Sequence, residues 1–216
     1  RGDDAENVNN PVTIYSLPED VEWAKNTSII TNKALDFFLK EYGSFPFSSY
    51  AIVFVRYLPC QTSNFAGLSV MSSKLLYPPD MIEPMFTVTD ILLKSIATQW
   101  AGINISPQTF NDMWCTIGIA GFMAISFIKK LMGANEFRYR LRKQMDKVVA
   151  EDVGRHAIAS QPFKYPVSED DLSFVWLKSP IVLFILDNRM TKTDKSFGLS
   201  RVLPKLFLQR SEERRV

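Results

Sequence analysis

Between Phe110 and Met132 the chain reads F-N-D-M-W-C-T-I-G-I-A-G-F-M-A-I-S-F-I-K-K-L-M. This is a long apolar helix by composition, and Gly133 supplies its stop. A helix hydrophobic on most of its faces must be enclosed by other elements. Phe122, Met123 and Phe127 sit at core spacing and point to no cofactor. The chain shows no signal peptide and no apolar run of membrane-spanning length, so this helix reads as the core of a packed domain. It opens on the polar R-G-D-D-A-E-N-V-N-N, as a piece of a longer chain does.

Material to enclose the helix lies on both sides of it. Tyr50 to Leu58, Y-A-I-V-F-V-R-Y-L, is β-branched and aromatic and ends at Pro59, which makes it the best strand. Val12 to Ser16 and Gly67 to Met71 are shorter strands. Asn26 to Tyr42 reads as a helix capped by Thr31 or Asn32 and stopped by Gly43. Thr87-V-T-Asp90 reads as a capping box, followed by Val88, Ile91, Leu92, Ile96 and Trp100 at helical spacing. Glu136 to Glu151 is an amphipathic basic helix. Pro162, Pro166 and S-E-D-D at 168–171 mark a loop, and Pro180 to Leu186 is buried and helical. Strands first and helices after suggest an α+β fold. With 216 residues, 46% of them hydrophobic and 22% charged, a globular domain is expected and disorder is not. A net charge of +2 leaves any electrostatic argument local, and two cysteines make no disulfide framework.

The segment from Leu93 to Ser106, L-K-S-I-A-T-Q-W-A-G-I-N-I-S, carries the functional argument. Lys94 and Thr98 stand four apart on one helix face, where a zinc peptidase of the H-E-x-x-H type has two histidines. Ser95 stands where the catalytic Glu would be. Gln99-Trp100 follows, then Phe110-N-Asp112-M-Trp114 and Ile117-Gly118-I-Ala120 at matching distance. In these features the chain resembles the zinc aminopeptidases, the gluzincin family of aminopeptidase N and leukotriene hydrolase. N-K-A-L-D-F-F-L-K-E-Y-G-S-F-P-F at 32–47 and L-L-Y at 75–77 fall in the same register. The resemblance puts the third metal ligand at Ile117. It puts the substrate-anchoring motif at Cys60-Q-T-Ser63-Asn64, with its Glu lost, and the transition-state Tyr at Trp176. It spans roughly residues 11 to 190. It implies a thermolysin/aminopeptidase-N-like catalytic-domain fold lacking its zinc site, with a stub of the preceding β-domain. Residues 1–26 would be linker and the end of that domain, 27–209 the aminopeptidase-like domain, and 210–216 a charged tail.

Catalytic zinc needs about three His, Glu or Cys ligands and an open position for water. Lys94 is a fixed cation, Thr98 a weak neutral oxygen and Ile117 no ligand, while the Ser95 hydroxyl does not ionise near neutral pH. Metal, catalytic residues and cofactors are therefore expected to be absent, and the chain reads as a pseudo-aminopeptidase. L-L-Y-P-P-D-M-I-E-P-M at 75–85, S-I-A-T-Q-W at 95–100 and G-A-N-E-F-R-Y-R-L-R-K-Q-M-D-K-V-V-A at 133–150 resemble the TATA-binding-protein-associated factor 2 family. This is the family of a large subunit of the general transcription factor TFIID. That resemblance implies a nuclear, non-catalytic scaffold. It would contact other TFIID subunits and core-promoter DNA, and no membrane or small-molecule substrate. The alternatives are a zinc-independent peptide-binding module, or an inactive aminopeptidase homologue outside transcription.

Three features have both a sharp and a plain reading. Lys94 could hold a partner's carboxylate, or pair with Asp90 four residues before it for about 0.3 kcal/mol. His156, Cys60 and Cys115 could form a relocated metal site, but none has ligand spacing, and Cys115 in its apolar helix suits an inert buried thiol. The stretch from Lys129 to Lys147 carries Lys129, Lys130, Arg138, Arg140, Arg142, Lys143 and Lys147 against Glu136 and Asp146. Such clustering is the footprint of nucleic-acid binding. It is equally that of a solvated helix face meeting acidic segments such as Glu169 to Asp171. No base-reading motif accompanies it, so DNA contacts would be mainly to phosphates.

Overall fold

The computed structural model describes residues 12–159, 168–193 and 198–213. They form two compact units, Arg1–Asn104 and Ile105–Val216. The first contains β1 (Val12–Tyr15), α1 (Val21–Ser28), α2 (Thr31–Tyr42), β2 (Tyr50–Val55), β3 (Thr62–Phe65), β4 (Leu68–Ser72) and α3 (Glu83–Thr98). Its sheet has the order β1-β2-β4-β3, with β1, β2 and β4 parallel and β3 antiparallel to β4. Ile14 pairs with Ile52, Val53 with Val70, and Val70 with Ser63.

In β2 the residues Tyr50, Ile52 and Phe54 are buried and alternate with half-buried neighbours, as the period of a strand requires. Leu35 and Phe38 of α2 and Leu92 and Ile96 of α3 are also fully buried. Each such side chain contributes roughly 1.5–3 kcal/mol, so burial rather than surface pairing holds these helices. Trp100 stands edge-on to Phe38 and Phe45, with ring centroids at 5.9 and 5.2 Å.

Several local expectations change. The helix expected over 26–42 breaks at Ile29–Ile30 into α1 and α2, and α2 starts from Ile30 with no side-chain cap from Thr31 or Asn32. The expected box at Thr87 does not form, because α3 begins a turn earlier at Glu83. Pro84 in the first turn lacks only an N–H that would be unpaired there, and Glu83 suits the positive helix end. β3 had no counterpart in the sequence reading: T-S-N-F is half-buried to exposed and lacks apolar alternation.

The second unit contains α4 (Met113–Glu151), α5 (Glu169–Thr193) and α6 (Leu199–Glu213). Thr109 and Asp112 close a capping box ahead of α4, Thr109 Oγ1 donating to Asp112 Oδ2 at 2.7 Å. Gly133, with φ of 85°, interrupts α4 where the sequence places a helix stop. By length and composition the stretch Phe110–Glu151 is able to cross a membrane, which corrects the expectation that no run reaches that length. Its apolar part is mostly buried within the fold, in keeping with a core helix.

Gly118 and Gly121 let α5 approach α4. A Cβ on Gly121 would lie 2.3 Å from Pro180 Cγ, and one on Gly118 would lie 3.1 Å from Leu183 Cδ1. The acidic S-E-D-D, expected in a loop, opens α5: Ser168 Oγ accepts from the Asp171 N–H at 3.1 Å and donates to Asp171 Oδ2 at 2.6 Å. Three carboxylates in a first turn suit the helix dipole. Pro162 and Pro166 lie outside the described residues.

Candidate functional site

α3 presents Asp90, Lys94 and Thr98 along one row. Lys94 Nζ pairs with Asp90 Oδ2 at 2.8 Å, and Thr98 Oγ1 donates to the Lys94 carbonyl at 2.7 Å. The cation is thus met within the helix, and the hydroxyl is turned back onto the backbone. Ser95 faces inward and is 2% exposed. Beyond Thr98 the chain is fixed by buried polar contacts. Gln99 Oε1 accepts from the Gly67 N–H at 3.0 Å, and Trp100 Nε1 donates to the Ser44 carbonyl at 3.2 Å. Gly67, at φ 68°, closes the β3–β4 turn, where a Cβ would meet the Ser49 carbonyl at 2.7 Å.

The segment from Cys60 to Asn64 enters β3. Cys60 Sγ lies 3.2 Å from Ser63 Oγ. Asn64 Oδ1 accepts from Ser69 Oγ at 2.7 Å, and Ser69 Oγ lies 2.8 Å from the Tyr50 hydroxyl. This chain of neutral groups joins β2, β4 and β3. Burial pushes the Tyr50 pKa well above the ordinary phenol value, and the Ser69 hydrogen bond only partly opposes it.

In the second unit Ile117 is buried on α4 and Trp176 is half-buried on α5. Cys115, expected to be buried, reaches the surface. Partial desolvation of its thiol, with Asp112 nearby, raises its pKa, so it is a poor nucleophile. His156 is exposed. Among the described residues no three His, Cys, Asp or Glu side chains gather as a metal group.

The basic run occupies the end of the first half of α4 and most of its second half. Phe137 and Leu141 turn inward, with Phe184 against Phe137 at 5.6 Å, and Gln144 Nε2 donates to the Leu177 carbonyl at 2.7 Å. Arg140 is half-buried, its Nε 2.7 Å from Glu136 Oε1. Arg142 Nε meets Asp146 Oδ1 at 3.0 Å, Lys147 Nζ lies 3.7 Å from Glu151 Oε1, and Lys129 Nζ sits 5.4 Å from the Phe137 ring centroid. Arg138 and Lys143 are exposed and form no ion pair among the described residues. Sequence reading missed Arg155, which donates to Asp170 Oδ2 at 2.8 Å and stacks 4.4 Å from the Phe174 centroid. The acidic segment thus has Arg155 as a partner, a residue just beyond the basic run.

Comparison with known proteins relates this architecture to a family. Transcription initiation factor TFIID subunit 2 of Saccharomyces cerevisiae is 42% identical over 208 residues, 92% of this chain and 15% of that protein. The Schizosaccharomyces pombe protein of the same name is 38% identical over 198 residues, 92% of this chain and 17% of its own length. The chain belongs to the TFIID subunit 2 family. It spans about a sixth of the length of these relatives. No protein-family model matches the chain. In three dimensions the structure of native yeast LTA4 hydrolase matches with a TM-score of 0.73 at 13% identity, over 92% of this chain and 32% of that one. The fold is thus the mixed helix-and-sheet, aminopeptidase-like fold that the zinc-peptidase resemblance implies, carried by a family named for transcription initiation.

Proposed function

We propose that this chain is part of a non-catalytic scaffold subunit of TFIID that supports core-promoter recognition and assembly of the RNA polymerase II pre-initiation complex. It works in the nucleus, against other TFIID subunits and against promoter DNA. Within it, residues 27–209 are the aminopeptidase-like domain, 1–26 the linker and end of a preceding β-domain, and 210–216 a charged tail. Lys94 and Thr98 stand at the two histidine positions of the ancestral zinc site, Ile117 at the third ligand, Ser95 at the general base and Trp176 at the Tyr. The observation that carries this reading is the state of Lys94 and Thr98. Lys94 is an ammonium without a lone pair and is paired with Asp90, while Thr98 is a weak neutral oxygen whose hydroxyl is turned back onto its own helix, so the pair is not the ligand set that catalytic zinc needs. The site has become ordinary helix surface on a kept scaffold, in a chain whose relatives are named as TFIID subunits.

In this proposal the DNA contact is made by Lys129, Lys130, Arg138, Arg140, Arg142, Lys143 and Lys147 through phosphates. All of these but Arg140, which is half-buried against Glu136, are exposed, and Arg138, Arg142 and Lys143 lie closest together on the second half of α4. The test is promoter-duplex affinity of the full-length protein against rising salt, with a variant that reverses Arg138, Arg142 and Lys143. Each lost phosphate contact lowers the slope of log affinity on log salt by about 0.9. A slope reduced by two to three of these steps is expected, and an unchanged slope removes the helix from DNA.

A further inference from the structure

We propose that Tyr139 is a stacking platform for an unpaired base, so that the basic half of α4 binds single-stranded nucleic acid as well as duplex phosphate. This rests on the phosphate-contact reading of the same helix given above. Tyr139 is 62% exposed, whereas Phe137 two residues earlier is 7% exposed and packed into the core. The two rings therefore serve different faces, and only the outer one is open to a ligand. Tyr139 makes no hydrogen bond or ring contact among the described residues.

On a helix, the neighbours of a residue three and four positions on lie within one turn of it, about 5–6 Å away at Cβ. For Tyr139 these are Arg142 and Lys143, both exposed. Arg142 is held by Asp146 with side chains 79% and 61% exposed, an ion pair worth little in water and readily exchanged for a phosphate. A ring with two cations beside it is the minimal element of single-strand recognition, in which bases cover aromatic faces and the backbone lies along positive charge. A duplex cannot use the ring in this way, because its bases are stacked and paired inside and offer only their edges. The excess of basic over acidic residues between positions 129 and 147 opposes a basic protein partner at the same place.

The full-length protein is titrated with a labelled deoxythymidine oligomer and, separately, with a blunt-ended, loop-free duplex whose strands have the same length. Tyr139→Ala is expected to weaken single-strand binding about tenfold and duplex binding less than about twofold, while Tyr139→Phe keeps both. In parallel, an oligomer carrying 5-iododeoxyuridine is irradiated on the protein, and the adduct is expected at Tyr139. Unchanged single-strand affinity in Tyr139→Ala, or an adduct mapping elsewhere, overturns the stacking role. The Arg138, Arg142 and Lys143 reversal separates the two ideas. If it lowers duplex affinity while Tyr139→Ala changes nothing, the phosphate reading stands and stacking falls. If it leaves duplex affinity intact, the phosphate reading falls, and the stacking proposal that depends on it falls too.

Discussion

Replacing Gly121 by Ala tests how α4 and α5 meet. Alanine is the better helix former by about 0.8–1.0 kcal/mol, so on an isolated helix the change would stabilise. Here the new Cβ would lie 2.3 Å from Pro180 Cγ and 3.0 Å from Pro180 Cβ. Carbon atoms rest at about 3.5–4.0 Å, so the helices must separate locally by about 1 Å. The proline ring has no rotamer by which to withdraw, which places the overpacking cost near the upper end of about 1–3 kcal/mol. The net loss is about 2 kcal/mol. With a urea slope of about 2 kcal/mol/M, the unfolding midpoint of the 216-residue chain, followed by helical circular dichroism, should fall by about 1 M. Adding Pro180→Ala removes the obstructing ring and returns a backbone N–H to α5, so the double variant should recover most of the loss. A Gly121→Ala chain as stable as the parent would refute the close approach and with it the reason for glycine at this position.

Two further outcomes are expected. Tyr50→Phe removes the hydroxyl that meets Ser69 and should cost about 1 kcal/mol at neutral pH. Because burial raises the folded pKa of Tyr50, the contribution of its neutral form is complete below about pH 10 and is lost as pH rises above it. The alkaline fall in stability should therefore be shallower in Tyr50→Phe, and equal slopes in alkaline urea titrations would contradict that burial. Ser95→Glu puts a carboxyl at a position 2% exposed and should cost roughly 3 kcal/mol or more at pH 7. Burial raises the folded pKa of such a group above its unfolded value of about 4.3, so the penalty should shrink as pH falls toward 4. A loss that stays constant with pH would mean that residue 95 is not enclosed.

The parts of the fold legible in the sequence were those fixed by local pattern. β2 shows its alternation, the first half of α4 its apolar run and Gly133 its stop, and each lies where the pattern puts it. The Asp90–Lys94 pair was legible for the same reason, since four residues on a helix fix the distance. What escaped depends on neighbours distant in sequence. β3 is made by pairing with β4 and by the Gly67 turn, whose N–H is taken by Gln99 some thirty residues later. The start of α3 was misplaced because two competing signals, Pro84 and the Thr87 box, sit within one turn of each other, and the chain used the earlier. The apolarity of its helix predicts a buried Cys115, but even a core helix keeps one stripe toward solvent, and Cys115 lies on it.

On the proposed reading, the same distinction bears on how a zinc-peptidase fold could lose its metal site and be kept. Gln99 Oε1 accepts from the Gly67 N–H and Trp100 Nε1 donates to the Ser44 carbonyl, and both residues lie in the interior. Their replacement would leave buried groups unpaired at about 1–3 kcal/mol each, whatever the protein is used for. Lys94 and Thr98 lie on the partly exposed row of α3 and are satisfied locally, so on the proposed reading the two metal positions were free to change once no metal was needed. Ser95 is different, because its position is buried. A glutamate there is tolerable beside a bound cation and becomes an uncompensated buried charge without one. Loss of the metal would then not merely permit the loss of the base but favour it, and a small neutral side chain that fits the space is what α3 carries.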